Sequence, residues 1–289
     1  MLVYSMLYLI TGGIIASTMF LLPHPASDFP ILRFIIICLA SVLLTKYFVY
    51  MFVSPWHDVL VSWRNLRYRN ELADFYPTVS VMIPAWNEER GLLDTIRTLL
   101  KSTYRNVEII VVNDGSTDGS DSLMRKFLEK YDAQKKTNKI NIVYHYKENG
   151  GKGAALNTAI ELATGDILVS IDADCVVMPE TISNFVKPFV DPSVMAAVGN
   201  VKVGNTDHLV GVVQYLEFLF SFYFKKADSV MNTIYIIGGA AGAFRKEVFE
   251  VVGRYNTKNI TEDIELSVRI QRAGMRTVYA DDAIVYTEG

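Results

Sequence analysis

Four short apolar runs, three closed by polar clusters and all separated by amphipathic stretches, constrain this chain more than anything else in it. VSVMIPAW (79–86), VEIIVVND (107–114), INIVYHY (140–146) and DILVSIDAD (166–174) are rich in β-branched residues and almost continuously hydrophobic. Runs of that kind suit strands buried on both faces. Helices are predicted between them, over 88–101, over 118–131 and after Gly150. The alternation predicts an α/β fold with strands in parallel order. Open sheets of this class gather ligands outside the carboxyl ends of their strands. Polar clusters fall there three times: Asn87-Glu88-Glu89, Asn113-Asp114-Gly115-Ser116 and Asp172 with Asp174. Several such clusters on one rim form a site.

If the fourth strand runs through Asp174, Asp172 and Asp174 stand at i and i+2 and point to one side. Two carboxylates facing one point repel unless a positive charge sits between them. Oxygen ligands of this type suit Mg²⁺ or Mn²⁺, with a substrate phosphate completing the shell. NDGSTDGS (113–120) has two readings. One is a turn in which Gly115 gives backbone freedom and Ser116, Thr117 or Asp118 caps the next helix. The other makes Asp114 an acceptor for a uracil N–H or a ribose hydroxyl. YKENGGKGAALNTAI (146–160) places glycines and Lys152 before a helix, yet matches neither G-x-x-x-x-G-K-[ST] nor G-x-G-x-x-G. A helix start beside a lysine favours a diphosphate, and an exposed terminal lysine is the alternative. ITEDIELSVRIQRAG (260–274) reads as a helix capped by Thr261, with Glu262 and Asp263 in its first turn. The helix dipole accounts for acids there, and a general base is the second reading. Before it, GGAAGAFRKEVF (238–249) is small enough for a ligand or another backbone to approach.

The N-terminal quarter has a different character. Leu2–Leu22 carries no charge over 21 positions, ~32 Å of helix, enough to cross a bilayer. Ile31–Val53 is a second apolar segment, holding Arg33 near one end and Lys46 inside, where lysine should reach for an edge or another helix. Arg64, Arg67 and Arg69 follow, which predicts a two-span hairpin with the larger part of the chain on the cytoplasmic side. The expected organisation is therefore two spans within 1–55, a basic cytoplasmic linker over 56–77 and one α/β domain over 78–289. The aromatic segment 213–231, ending near Lys225-Lys226, suits a core helix or a membrane-interface helix, with a lean to the interface. The basic, polar patch 134–139 is expected as a solvated loop. A net charge of −3 argues against a nucleic-acid binder. Cys38 and Cys175 offer no disulfide framework and read as small buried residues.

PAWNEE, NDGSTD, NGGKGAALN, IDAD, GGAAGAFR and TEDIELS, in that order over 78–289, resemble the family 2 glycosyltransferases. The resemblance is to the membrane-embedded polysaccharide synthases, poly-N-acetylglucosamine and cellulose-synthase-like enzymes above all. It implies a GT-A fold, a mixed and mostly parallel sheet with helices on both faces, behind a transmembrane hairpin. It also implies a UDP-sugar donor, Mg²⁺ or Mn²⁺, and an acceptor that is a growing glycan or a lipid phosphate. Laid on this sequence, Ala85 and Glu88 would border the nucleotide, Asp114 the uracil and Lys152 the diphosphate. Asp172 would contact the nucleotide sugar and Asp174 the metal. Asp263 would be the base, with Glu262 beside it at the substrate. The implied location is the plasma or inner membrane, multi-pass and in contact with lipid, with the catalytic domain cytoplasmic. The family carries Q-x-x-R-W and further spans after TED, and this sequence ends at Glu288-Gly289 before either. A catalytically weak, nucleotide-sugar-binding subunit that needs a partner for those parts is the alternative expectation.

Overall fold

The computed structural model describes residues 12–13, 15–17, 30–134, 140–203, 209–259 and 261–287. Helix α1 (Pro30–Val53) is followed, after a turn at Ser54-Pro55, by α2 (Trp56–Arg67) and α3 (Arg69–Asp74). The α/β part begins β1 (Val79–Ala85), α4 (Leu92–Leu99), β2 (Val107–Asp114), α5 (Ser120–Ala133), β3 (Asn141–Lys147), α6 (Lys152–Leu162) and β4 (Ile167–Ile171). It continues with β5 (Val176–Val177), α7 (Thr181–Val186), a short 3-10 helix (Lys187–Val190), β6 (Val194–Val203), α8 (Leu209–Met231) and β7 (Ala241–Arg245). Helices α9 (Glu247–Val252) and α10 (Glu262–Arg272) and strand β8 (Arg276–Thr287) complete it.

One sheet runs in the order β3-β2-β1-β4-β7-β6-β8-β5. Its first four strands are parallel. Strand β7 is antiparallel to both β4 and β6, β8 is parallel to β6, and β5 pairs antiparallel with β8. The sheet is thus mixed, with its parallel half built by the four runs that opened the sequence reading. Alternation along β1 explains why those runs are apolar throughout. Val81 and Ile83 pack with Leu92, Ile96 and Leu99 of α4 on one face. Met82 packs with Ala155, Leu156 and Ala159 of α6 on the other. Successive strand residues point to opposite faces, and both faces here are covered.

A buried polar knot ties the opposite, amino-terminal end of the sheet. Glu108 Oε1 accepts from Ser80 Oγ (2.6 Å) and from the backbone N–H and hydroxyl of Thr164 (both 2.8 Å). Gly165 N–H in turn donates to Ser80 Oγ at 2.8 Å. Burial pushes the Glu108 carboxyl upward, but these donors outweigh it and leave the pKa below the ordinary glutamate value.

Two helices start later than the sequence pattern predicts. Asn87 adopts a left-handed conformation (φ 58°), and helix α4 begins at Leu92 rather than at Glu88. Helix α5 begins at Ser120 because Asp118 is its N-terminal acceptor, taking the Ser120 N–H at 3.0 Å. The expected loop over 134–139 lies outside the described residues apart from Gln134.

Helix α1 coincides with the second expected span. Among the described residues one helical stretch, Phe34–Arg67, is long and apolar enough to cross a bilayer, its most apolar 18-residue window having mean hydropathy 2.1. The first expected span, 2–22, falls largely outside the described residues, although 12–13 and 15–17 are helical. Lys46 lies over the Tyr50 ring (5.4 Å to its centroid) and shares a cavity with residues of α8, so it does face another helix. The stretch 56–77 is not simply a basic linker, because much of it folds into α2 and α3. Trp56, Val59, Leu60, Trp63 and Leu66 recur at helical spacing and are exposed, while His57 and Arg64 are buried against the domain.

Candidate active site

The loops after β1 and β2 are zipped together. Asn87 N–H donates to Ser116 Oγ (2.9 Å), Glu88 N–H to Ser120 Oγ (3.0 Å) and Glu89 N–H to Asp118 Oδ2 (3.1 Å). In return Thr117 N–H donates to Asn87 Oδ1 (2.8 Å) and Gly119 N–H to Glu89 Oε2 (3.2 Å). The hydroxyls and Asp118 of NDGSTDGS therefore serve the turn, the first of its two readings. Asp114 is left for the rim, at the last position of β2.

Asp114 is 2% exposed and its carboxylate is saturated with donors. Lys147 Nζ lies 2.6 Å away, and the N–H groups of Gly150 (3.0 Å) and Gly151 (2.7 Å) donate to it. Asn149 Nδ2 bonds the Asp114 carbonyl at 2.9 Å. The Asn149-Gly150-Gly151 loop is thus drawn onto the end of β2. Gly115 (φ +72°) permits that approach, since a Cβ there would stand 2.7 Å from Asn149 N.

Lys152 opens α6 and places its Nζ 2.6 Å from Asp172 Oδ1. Strand β4 ends at Ile171, so Asp172 and Asp174 belong to the following turn and not to a strand. Their shared facing comes from that turn, and the positive charge at Asp172 is the Lys152 ammonium. Burial works against the charge on Lys152, but Asp172, Glu262 and Asp263 outweigh it and hold its pKa above the ordinary lysine value. Burial is also the largest influence on Asp172, raising its pKa against the pull of Lys152, with Asp174 and Asp263 adding to the rise. Asp174 Oδ1 accepts a weak bond from the Cys175 thiol at 3.6 Å. Burial pushes that thiol up to about 12, so Cys175 is an inert core residue and no nucleophile.

These residues enclose a crevice of about 400 Å³, within the range of small-molecule sites. Ala85, Glu88, Asp114, Lys152, Asp172 and Asp174 all line it. Glu262 and Asp263 are not part of that lining. They stand beside it at the start of α10, close enough for their charges to act on Lys152, and for that of Asp263 to act on Asp172. Thr261 is the N-cap residue, though its side chain makes no capping bond. The backbone of Gly238 and Gly239 (φ +126° and +61°) passes beside Asp263, where a Cβ on Gly239 would lie 3.7 Å from Asp263 Oδ2. The small residues of that segment permit the approach.

Three contributors were not singled out from the sequence. Trp86 lines the crevice and is 57% exposed, offering a flat apolar face. Asn149 lines it as well. Tyr255, buried at 4%, exchanges reciprocal bonds with Asn157 of α6, both 2.9 Å, and packs α6 against the start of α10. Asn157 closes the NGGKGAALN motif, and that was its only signal.

A second acidic group lies elsewhere. His57, Asp58 and Asp281 approach one another on the α2 side of β8, near enough for one ion. Lys226 Nζ already stands 2.6 Å from Asp58 and 3.2 Å from Asp281, so an ammonium balances the cluster.

The sequence profile of glycosyl transferase family 2 matches residues 80–253, more than half of the chain. The chain belongs to glycosyltransferase family 2. It is 30% identical over 203 residues to the poly-β-1,6-N-acetyl-D-glucosamine synthase of Staphylococcus aureus, covering 70% of this chain and 47% of that protein. The corresponding Staphylococcus epidermidis synthase is 27% identical over 210 residues, covering 72% of this chain and 49% of that protein. The chain spans about half the length of the curated relatives it matches. Among solved structures it is similar to the Pyrobaculum calidifontis mannosyltransferase PcManGT in complex with GDP-Man and Mn²⁺. That match has a TM-score of 0.59 at 23% identity and covers 82% of this chain and 68% of that one. S. aureus TarS 1–349 in complex with UDP-GlcNAc matches with a TM-score of 0.54 at 20% identity, covering 73% and 58%. For a family 2 chain, these likenesses establish the GT-A type of fold.

Proposed function

We propose that this chain is an inverting glycosyltransferase that moves a sugar, N-acetylglucosamine or another hexose, from UDP to a growing β-linked glycan at the cytoplasmic membrane face. The crevice at the carboxyl ends of β1, β2 and β4 carries the proposal, because four carboxylates and a lysine meet there from the ends of these strands and the start of α6. The names of the synthase relatives point to the sugar and to a polymeric product.

In this reading Ala85, Glu88 and Asp114 border the nucleoside and Lys152 attends the diphosphate. Asp172 contacts the nucleotide sugar, and Glu262 helps to shape the substrate side. Asp263 takes the proton from the acceptor hydroxyl as its oxygen attacks the anomeric carbon opposite UDP. The bond to UDP breaks with its electron pair on the departing phosphate oxygen, and the configuration inverts. The half-buried Asp174 carboxylate fits a hard cation, and Mg²⁺ or Mn²⁺ bound there would offset charge on the leaving diphosphate. The apolar length of α1 and the exposed tryptophan face of α2 support a membrane location. Leu2–Leu22 would complete a hairpin, with 78–289 as the catalytic domain.

A panel of nucleotide sugars, assayed with membranes containing the chain with and without chelator, tests the proposal. Transfer from a UDP-sugar that stops on chelation is expected. Absence of UDP-sugar binding throughout the panel would overturn the proposal, and chelator-insensitive transfer would remove the cation from it.

A further inference from the structure

A cavity of about 480 Å³ lies away from the nucleotide crevice, between the last third of α1, the middle of α8 and the segment 234–236. Two lysines line it from different elements, Lys46 from α1 and Lys225 from α8. Each lies near an aromatic ring, Lys46 over Tyr50 (5.4 Å) and Lys225 over Tyr279 (5.9 Å). The carboxylate in the wall, Asp228, is 6% exposed and already engaged. Its Oδ1 accepts from Tyr50 Oη at 2.6 Å and from Thr233 Oγ1 at 2.8 Å. Burial holds the Lys225 ammonium below the ordinary lysine value, and among the described residues no carboxylate opposes that shift. Among the described lining residues two lysines accompany one carboxylate, and that excess suits an anion.

The surroundings specify what kind of anion. Phe220 (64% exposed) and Tyr235 (61% exposed) are apolar rims of the same cavity. The apolar surface of α1 continues from it through exposed Tyr47, Leu43 and Leu39. Lys46 lies seven residues before the end of α1, ~10 Å along its axis, and its long side chain can snorkel from there toward headgroup level. Phosphate at that level with hydrocarbon alongside is the chemistry of an anionic phospholipid.

From this geometry we infer a binding site for the phosphate headgroup of an anionic lipid, clamped between Lys46 and Lys225, with its acyl chains lying along α1. The site joins the span to the α/β domain through a bound lipid and is separate from the donor crevice. It rests on the membrane reading of α1 and is independent of the reaction proposed above.

The test uses the full chain in nanodiscs of mixed phosphatidylcholine and phosphatidylglycerol, with retained lipid read by native mass spectrometry and UDP binding measured in parallel. Wild type should keep phosphatidylglycerol in preference to phosphatidylcholine. Lys46→Met with Lys225→Met should lower that retention about 25-fold, roughly fivefold for each ammonium, with UDP affinity unchanged. The Lys46→Arg and Lys225→Arg pair should restore it. Equal retention of the two lipids by wild type would overturn the inference. Undiminished phosphatidylglycerol binding in the methionine pair would do so too. Displacement of the lipid by inorganic phosphate would assign the cavity to a free anion and overturn the lipid. A chain that remains soluble without detergent would overturn both this site and the membrane reading, whereas loss of UDP binding alone would leave the lipid result standing.

Discussion

The donor crevice and the α1–α2–α8 side of the molecule solve opposite problems. In the crevice almost every polar group has a partner before any ligand arrives. Asp114 is held by a lysine and two backbone N–H groups, Asp172 by Lys152, and the loops after β1 and β2 by each other. On the other side, large apolar side chains of α1 and α2 face outward, and two lysines line a cavity in which the carboxylate among the described residues, Asp228, is already hydrogen-bonded. The first region is preorganised for a small charged ligand, so its geometry is internal to the protein. The second leaves apolar faces open among the described residues, and in the proposed membrane reading a bilayer covers them.

The largest effect that could break this contrast is catalytic. Asp263→Asn should lower turnover by about 10²–10⁴-fold and leave UDP affinity within a few-fold, because Asp263 stands beside the crevice and not in its lining. Activity near wild type would take the base role from it. Next in size is the latch at Asp114. Asp114→Ala leaves Lys147 and two N–H groups without their acceptor, so stability to urea should fall by roughly 2–3 kcal/mol, together with UDP affinity. Unchanged stability would show that the loop is held by other contacts.

A smaller loss, about 1–3 kcal/mol, is expected for Glu108→Ala at the far end of the sheet, where transfer kinetics should not change. The pH dependence there has a definite sign. The folded pKa of Glu108 lies below the unfolded value of 4.5, so its contribution is complete above 4.5 and is lost as pH falls through the folded pKa. Acid unfolding of Glu108→Gln should therefore be less steep below that pH, and an unaltered acid limb would argue against the charged knot. The smallest effects are optical. The chain has three tryptophans, two on α2 and one in the crevice. Brominated lipid should quench Trp56 and Trp63, whereas UDP should perturb Trp86. A Trp86→Phe chain that keeps the full UDP response would contradict that division.

The parallel half of the sheet was legible because buried strands flanked by helices leave a repeated apolar signature. The rim was legible because polar residues closing such strands have few other reasons to be there. Turn geometry was harder to read. Asp172 and Asp174 look like alternate strand residues, but the strand stops at Ile171 and a lysine from another element supplies the counter-charge. Nothing local in NGGKG says that Lys152 will reach Asp172, because α6 and β4 lie between them in the chain and the contact is made only when that crossover folds. The same holds for Asn157 and Tyr255, almost a hundred positions apart, and for Glu108, an acid inside a strand with partners on two other elements. The helices within 56–77 were hidden for a simpler reason. The arginines there were counted as charge, while the exposed apolar spacing of Trp56, Val59, Leu60, Trp63 and Leu66 marks a helix lying on a surface.

Titration of UDP into the purified full chain, with Mn²⁺ and then after chelation, bears most directly on the claim that the rim is one nucleotide-diphosphate site. Wild type should bind one UDP, and Asp174→Asn should bind at least about tenfold more weakly with Mn²⁺ present, losing most of the response to chelator. UDP binding of undiminished affinity in both Asp174→Asn and Lys152→Met would contradict it, since the nucleotide would then lie somewhere else.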